Sequence, residues 1–238
     1  MVSPADRIVF PLDMPSATEA RPFVKKLFDK VGMFKIGLEL FIAEGPDFVR
    51  EIYDMGAKVF LDLKLHDIPA TVRRATEQVA KLDVTFLTVH VAANKEMLIS
   101  AVKGAGQTQI LGVTVLTSVS RTHLHDAGYA IDWIVDVTKL AQKRARDAKA
   151  AGCAGVVCSG KDVEAVKAFC GINFITMVPG IRPSWHTTKD DQERVTTPTQ
   201  AIRAGADYLV IGRPIRDAKD PADAVKKITA EIEAALAK

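Results

Sequence analysis

The chain has 238 residues, 48% hydrophobic and 26% charged, which is enough material for one large globular domain with its own core. A formal net charge of +3, with Lys and Arg spread among Asp and Glu, leaves no basic stripe for nucleic acid and no cationic face for a membrane surface. No leader pattern opens the chain and no apolar window approaches the ~20 residues of a membrane span; Cys153, Cys158 and Cys170 lack metal-ligand spacing, so the expectation is a cytoplasmic protein with inert, buried thiols.

In chain order, short apolar and β-branched runs recur at 8–13 (IVFPLD), 33–37 (MFKIG), 58–64 (KVFLDLK), 86–92 (FLTVHVA), 110–117 (ILGVTVLT), 155–159 (GVVCS), 174–181 (FITMVPGI) and 208–212 (YLVIG). Near-continuous apolar runs separated by helix-length amphipathic segments predict parallel strands covered by helices. After the first strand, Ser16 with Glu19 has the spacing of a capping box, while Pro22 predicts a kink or a later helix start. At the other end Val225, Ile228, Ile232 and Leu236 recur on one helical face and predict a packing helix. Eight such units in one domain favour a closed (β/α)₈ TIM barrel over an open doubly wound sheet.

That architecture gives the polar residues a shared place. Asp13, Lys35, Asp62, Lys64, His90, Thr117, Ser118, Ser159, Arg182 and Arg213 all fall at or just past the C-terminal ends of predicted strands, the face on which barrels build their sites. Unpaired buried charges cost several kcal/mol each, so this clustering calls for a function.

The densest stretch is FLDLKLHDIP, residues 60–69. Strand alternation puts Phe60, Asp62 and Lys64 on the barrel interior and Leu61, Leu63 and Leu65 toward the helices. Asp67 lies past the strand end, before Pro69, able to turn back over the rim or toward another subunit. A lysine among carboxylates in a partly dry cleft stays protonated, a proton donor rather than a base. Lys35 would extend Asp62, Lys64 and Asp67 into a row of alternating charge. Two other readings stay open from these residues alone: a merely structural ion-pair network, and a metal site using Asp62, His66 and Asp67, against which the neighbouring Lys64 would compete. His66 suits a structural hydrogen bond more than catalysis, and His90 is similarly ambiguous.

The stretch VFLDLKLHDIPATV (59–72) resembles the signature of the orotidine 5′-phosphate decarboxylases, with its Asp-x-Lys-x-x-Asp core followed by Ile-Pro-x-Thr. The resemblance runs along the chain through LDMPS, KIGLELFIAEGP, VTVLTS, PGIR, DDQERV and VIGRPI, and is nearest the bacterial form; Pro11 stands where relatives often have Ala. It implies a carboxy-lyase that converts orotidine 5′-phosphate to UMP and CO₂, the last step of de novo pyrimidine nucleotide synthesis, without metal or organic cofactor. It further implies Lys64 as proton donor to C6 of the pyrimidine, with Asp62 beside the departing carboxylate. Asp13 and Lys35 would bind ribose hydroxyls, and Thr117 and Ser118 the ribose or pyrimidine. Asp67 and Thr71 would be contributed across a homodimer interface.

The phosphate end has its own rationale. Gly212 permits close backbone approach and Arg213 offers paired hydrogen bonds, at a barrel position where phosphates often sit. The segment from Ile181 to about Pro198 is long for a connection between strand and helix and reads as a lid bringing Arg182 and Gln192 to phosphate and base, with Trp185 and His186 packing within it. Competing expectations are a Mg²⁺-dependent sugar-phosphate decarboxylase or hexulose-phosphate synthase on the same framework, and a catalytically silent nucleotide-binding barrel.

Overall fold

A computed structural model of the protein describes residues 2–92, 94–186 and 194–237. Eight strands form: β1 (Ile8–Pro11), β2 (Met33–Gly37), β3 (Val59–Leu65), β4 (Phe86–His90), β5 (Gln109–Val113), β6 (Gly155–Val157), β7 (Ile175–Val178) and β8 (Tyr208–Val210). Each pairs in parallel with the next, and β8 pairs with β1, closing the TIM barrel. Every sequence-predicted strand is present, but most end two to four residues sooner than their apolar runs. The reason is geometric: ladder bonding stops where neighbouring strands diverge, while the chain stays apolar or carries site residues beyond that point.

Two cores follow from the strand period. Inside the barrel Val9, Met33, Phe60, Phe86, Leu111, Met177 and Val210 form a filled plug, in which Phe60 meets Phe86 edge-on with ring centroids 6.2 Å apart. Outside it Phe10, Phe34, Leu61, Leu87, Val156 and Leu209 pack under the helices. The plug makes a floor, so a site can open only at the rims.

The helix Ala17–Leu27 begins directly after Ser16 and runs through Pro22, so the later start expected from that proline does not occur. Ser16 accepts the Glu19 N–H, which is one half of the expected capping box, and the neighbouring Ala17 N–H is satisfied separately by Glu44 Oε1 from the next helix. In the closing helix Pro221–Leu236, Val225, Ile228 and Ile232 are buried as expected, whereas Leu236 is 46% exposed and Ala235 takes the buried place in the last turn. At the N-terminal rim Lys167 Nζ donates to Asp207 Oδ2 (2.7 Å) and to the Ile172 and Phe174 carbonyls, and Asp207 accepts the Thr176 N–H. Polar networks on this face serve stability. All three cysteines are free and buried; burial pushes the Cys153 thiol up to about 12 and also raises Cys158 and Cys170. Among the described residues, no helix is long and apolar enough to cross a membrane.

Candidate active site

A cavity of about 320 Å³ opens above the plug at the C-terminal rim, within the range of small-molecule sites. Phe60 lies at its base, and its lining includes Asp13, Lys35, Asp62, Lys64, Thr117, Ser118, Gly180, Arg182, Gly212 and Arg213. Sequence periodicity therefore assembled most of the expected residues in one place.

Asp62 is the centre of the charge array. Its Oδ2 accepts from Lys64 Nζ (2.8 Å) and lies 3.6 Å from Lys35 Nζ, and Oδ1 accepts from Thr88 Oγ1 (2.9 Å). Lys35 also donates to Asp13 Oδ1 at 2.9 Å. Burial alone would push Asp62 toward its neutral form, but Lys35, Lys64 and Thr88 outweigh it and hold the carboxyl below its usual range. For Lys35 burial likewise disfavours charge, yet Asp13 and Asp62 together raise its pKa. Gly37 leaves room for this array: a Cβ there would stand 3.1 Å from Lys35 Nζ and 3.4 Å from Asp13 Oδ1.

Lys64 carries a feature that alternation does not predict. Its φ is +51°, a left-handed conformation that costs a non-glycine residue about 1–3 kcal/mol and is concentrated at functional sites. The β3–β4 register shifts between Leu61 and Leu65, and the Lys64 N–H donates to Thr88 Oγ1 at 2.8 Å. Thr88 thus holds both the backbone of Lys64 and the carboxylate of Asp62. Sequence reading missed it because a threonine inside FLTVH looks like an ordinary β-former. The available signal was alternation, which puts Thr88 on the same face of β4 as the interior Phe86; that it meets Asp62 is seen only in the structure.

Other expected residues fall elsewhere. Asp67 is exposed, accepts the Ile68 N–H (2.6 Å) and does not line the cavity, so within one chain the row consists of Lys35, Asp62 and Lys64 without it. Thr71, in the first turn of the helix Pro69–Ala80, is half-buried outside the cavity. Ser159 is fully buried and accepts the Lys161 N–H instead of lining the site. His66 and His90 pair with ring centroids 5.6 Å apart. Burial, then the neighbouring His66, Lys64 and Arg144, push the His90 pKa down. The metal alternative is not assembled: among the described residues no three His, Cys, Asp or Glu side chains gather as a ligand set. Gln192 lies outside the described residues.

Toward the other end of the cavity, Arg213 opens the short helix Arg213–Arg216 directly after Gly212. A Cβ on Gly212 would come within 2.9 Å of Pro11 Cγ, so this glycine is required by the ring across from it. Pro11 itself is tolerated in β1: the Leu12 N–H bonds the Lys35 carbonyl, leaving the proline's missing donor on the β8 side, where β8 is ending. Arg182 donates to the Ile181 carbonyl, and its backbone is paired with Thr196. Trp185 is 44% exposed and stands edge-on to His186.

An acid-held lysine and the arginines Arg182 and Arg213 thus line one cavity. The model of the "Orotidine 5'-phosphate decarboxylase / HUMPS family" matches residues 6–228. A protein named orotidine 5′-phosphate decarboxylase from Desulfosudis oleivorans is 50% identical over 238 residues, covering 98% of this chain and 96% of the relative. One of the same name from Anaeromyxobacter sp. strain K is 47% identical, covering 96% of this chain and 99% of the relative. The crystal structure of orotidine 5′-phosphate decarboxylase from Lactobacillus acidophilus superposes with a TM-score of 0.83 at 34% identity, covering 94% of this chain and 98% of that one.

Proposed function

The chain belongs to the orotidine 5′-phosphate decarboxylase / HUMPS family, and we propose that it decarboxylates orotidine 5′-phosphate to UMP and CO₂ in pyrimidine nucleotide synthesis. The observation that carries this reading is the Lys35–Asp62–Lys64 array, which presents a lysine ammonium to a nucleotide-sized cavity that also holds Arg182 and Arg213. Within the family, the relatives at 42–50% identity over nearly the whole chain bear the decarboxylase name, which favours this branch over the sugar-phosphate enzymes.

The chemistry follows from the charges. Breaking the bond from C6 to the carboxylate releases CO₂ and leaves its electron pair on C6, where no adjacent π-system can delocalise it. The Lys64 ammonium faces that pair, stabilises it as it develops, and transfers a proton to C6 to complete UMP; the neutral amine regains its proton from solvent. Asp62 holds Lys64 in place through the 2.8 Å contact and, with Lys35, keeps the array fixed before substrate arrives. Asp13 and Lys35 take ribose hydroxyls, Thr117 and Ser118 the ribose or base, and Gly212, Arg182 and Arg213 the phosphate. Gln192 completes the base contacts in this reading. Binding the phosphate far from C6 contributes to the chemical step by fixing the base against Lys64.

The functional unit in this proposal is a homodimer in which Asp67 and Thr71 reach the neighbouring subunit's site. Asp67 is exposed and outside its own chain's cavity, and Ile68 beside it is 65% exposed, which suits an interface. Three free, buried thiols suit the cytoplasm. The test is turnover of orotidine 5′-phosphate by purified protein in EDTA, followed by loss of substrate absorbance. Undiminished turnover is expected. No turnover, or EDTA-sensitive action on an open-chain sugar phosphate instead, overturns the proposal.

A further inference from the structure

Asp162 has no side-chain exposure, and it stands at the N-cap of the helix Val163–Cys170 without capping it. An aspartate in that place ordinarily accepts its own helix's N–H groups. Here its Oδ1 accepts instead from Arg194 Nη2 (2.5 Å) and from Thr138 Oγ1 (3.0 Å), the latter at the start of the helix Val137–Ala150. Arg194 is itself nearly dry, with a side chain 12% exposed. Neither residue lines the cavity, although Cys158, which does, feels the charge of both.

The run that Arg194 begins leads straight to the cavity wall. The Arg194 carbonyl accepts from Ser159 Oγ (3.3 Å), and Thr196 packs so closely on Gly160 that a Cβ there would lie 2.1 Å from Thr196 Cγ2. Thr196 forms a parallel bridge with Ile181: the Thr196 N–H bonds the Gly180 carbonyl (3.1 Å) and the Arg182 N–H bonds the Thr196 carbonyl (2.8 Å). Gly180 and Arg182 are wall residues. A buried cation bound to a buried anion cannot slide without leaving a charge unpaired, so it fixes the position of the run that carries it.

We infer that Asp162 and Arg194 are a positioning pair, holding the 194–196 run so that its bridge to 180–182 presents Arg182 to the phosphate of the bound nucleotide. The inference rests on the phosphate assignment made above. It predicts a loss confined to phosphate-bearing ligands, which a merely stabilising ion pair would not produce.

The experiment compares UMP and uridine affinities, the latter by competition, in wild type, Arg194→Met, Asp162→Asn and the double variant Asp162→Leu/Arg194→Met. In the single variants the Kd for UMP should rise about 10- to 100-fold, the scale of a misplaced binding group, with uridine changed less than about twofold. In turnover kcat/KM for orotidine 5′-phosphate should fall with the affinity, because the phosphate contacts also contribute to the chemical step. Equal weakening of both ligands, or wild-type UMP affinity in a folded variant, overturns the inference. If the single variants fail to fold, the double variant, which leaves no unpaired charge, decides: selective loss of UMP affinity supports the pair's role, and wild-type UMP affinity refutes it. Wild-type turnover reports separately on the decarboxylase reading, since the ratio of UMP to uridine affinity does not depend on catalysis.

Discussion

Asp62 shows how far single-residue reasoning reaches. The alternation of FLDLK placed it on the interior with Lys64, Lys35 was expected beside them, and the structure adds Thr88 to its partners. Its depressed pKa ties stability to pH. A carboxyl whose folded pKa lies below its unfolded value contributes stability that is present above the unfolded value and lost as pH falls through the folded one. The stability gap between wild type and Asp62→Asn should therefore be widest and flat near neutrality and shrink on acidification below about pH 4, measured by denaturant unfolding. A gap independent of pH would contradict the array. Lys35 has the opposite sign: its raised pKa keeps its contribution intact below the ordinary lysine range, lost only as pH rises through the raised value. Lys64's positive φ was not legible in the sequence, because neither composition nor period encodes a local reversal of backbone hand at a lysine.

Strands were the most legible elements, since burial on both faces writes them as apolar runs, and their ends were the least. β5 stops at Val113, so Thr117 and Ser118 reach the cavity from the following loop and not from a strand end. The mutual support of β3 and β4 was likewise hidden, for it depends on register and not on either strand alone. Thr88 links them by accepting the Lys64 N–H and donating to Asp62. Thr88→Val keeps the shape and removes both bonds, leaving a buried N–H without its acceptor; the loss should be about 1–3 kcal/mol of stability, together with a fall in kcat. Unchanged unfolding and unchanged kcat would show that β3 holds Lys64 unaided.

The barrel as a whole was legible from eight repeated units, and closure of β8 on β1 confirms it. What one chain's sequence left open was Asp67, which in the proposed reading is placed by contacts with a second subunit. Its exposure at the rim, beside a charge array that lacks it, makes the site a property of the assembly in the proposed reading. Mixing inactive Lys64→Ala and Asp67→Ala proteins should then restore part of the activity, because a hybrid dimer contains one site with both native residues. No recovery despite demonstrated subunit exchange would place each site within one chain.

The central claim is that the Lys64 ammonium supplies both charge and proton at the reacting carbon. It is tested most directly by kcat for orotidine 5′-phosphate in Lys64→Ala, alongside UMP affinity in the same protein. Removing one such group is expected to lower kcat by at least about 10³-fold while UMP still binds through the phosphate and ribose contacts. A variant that keeps kcat within about tenfold of wild type would contradict the account, because that loss is smaller than the weakest contribution expected of a positioned proton donor.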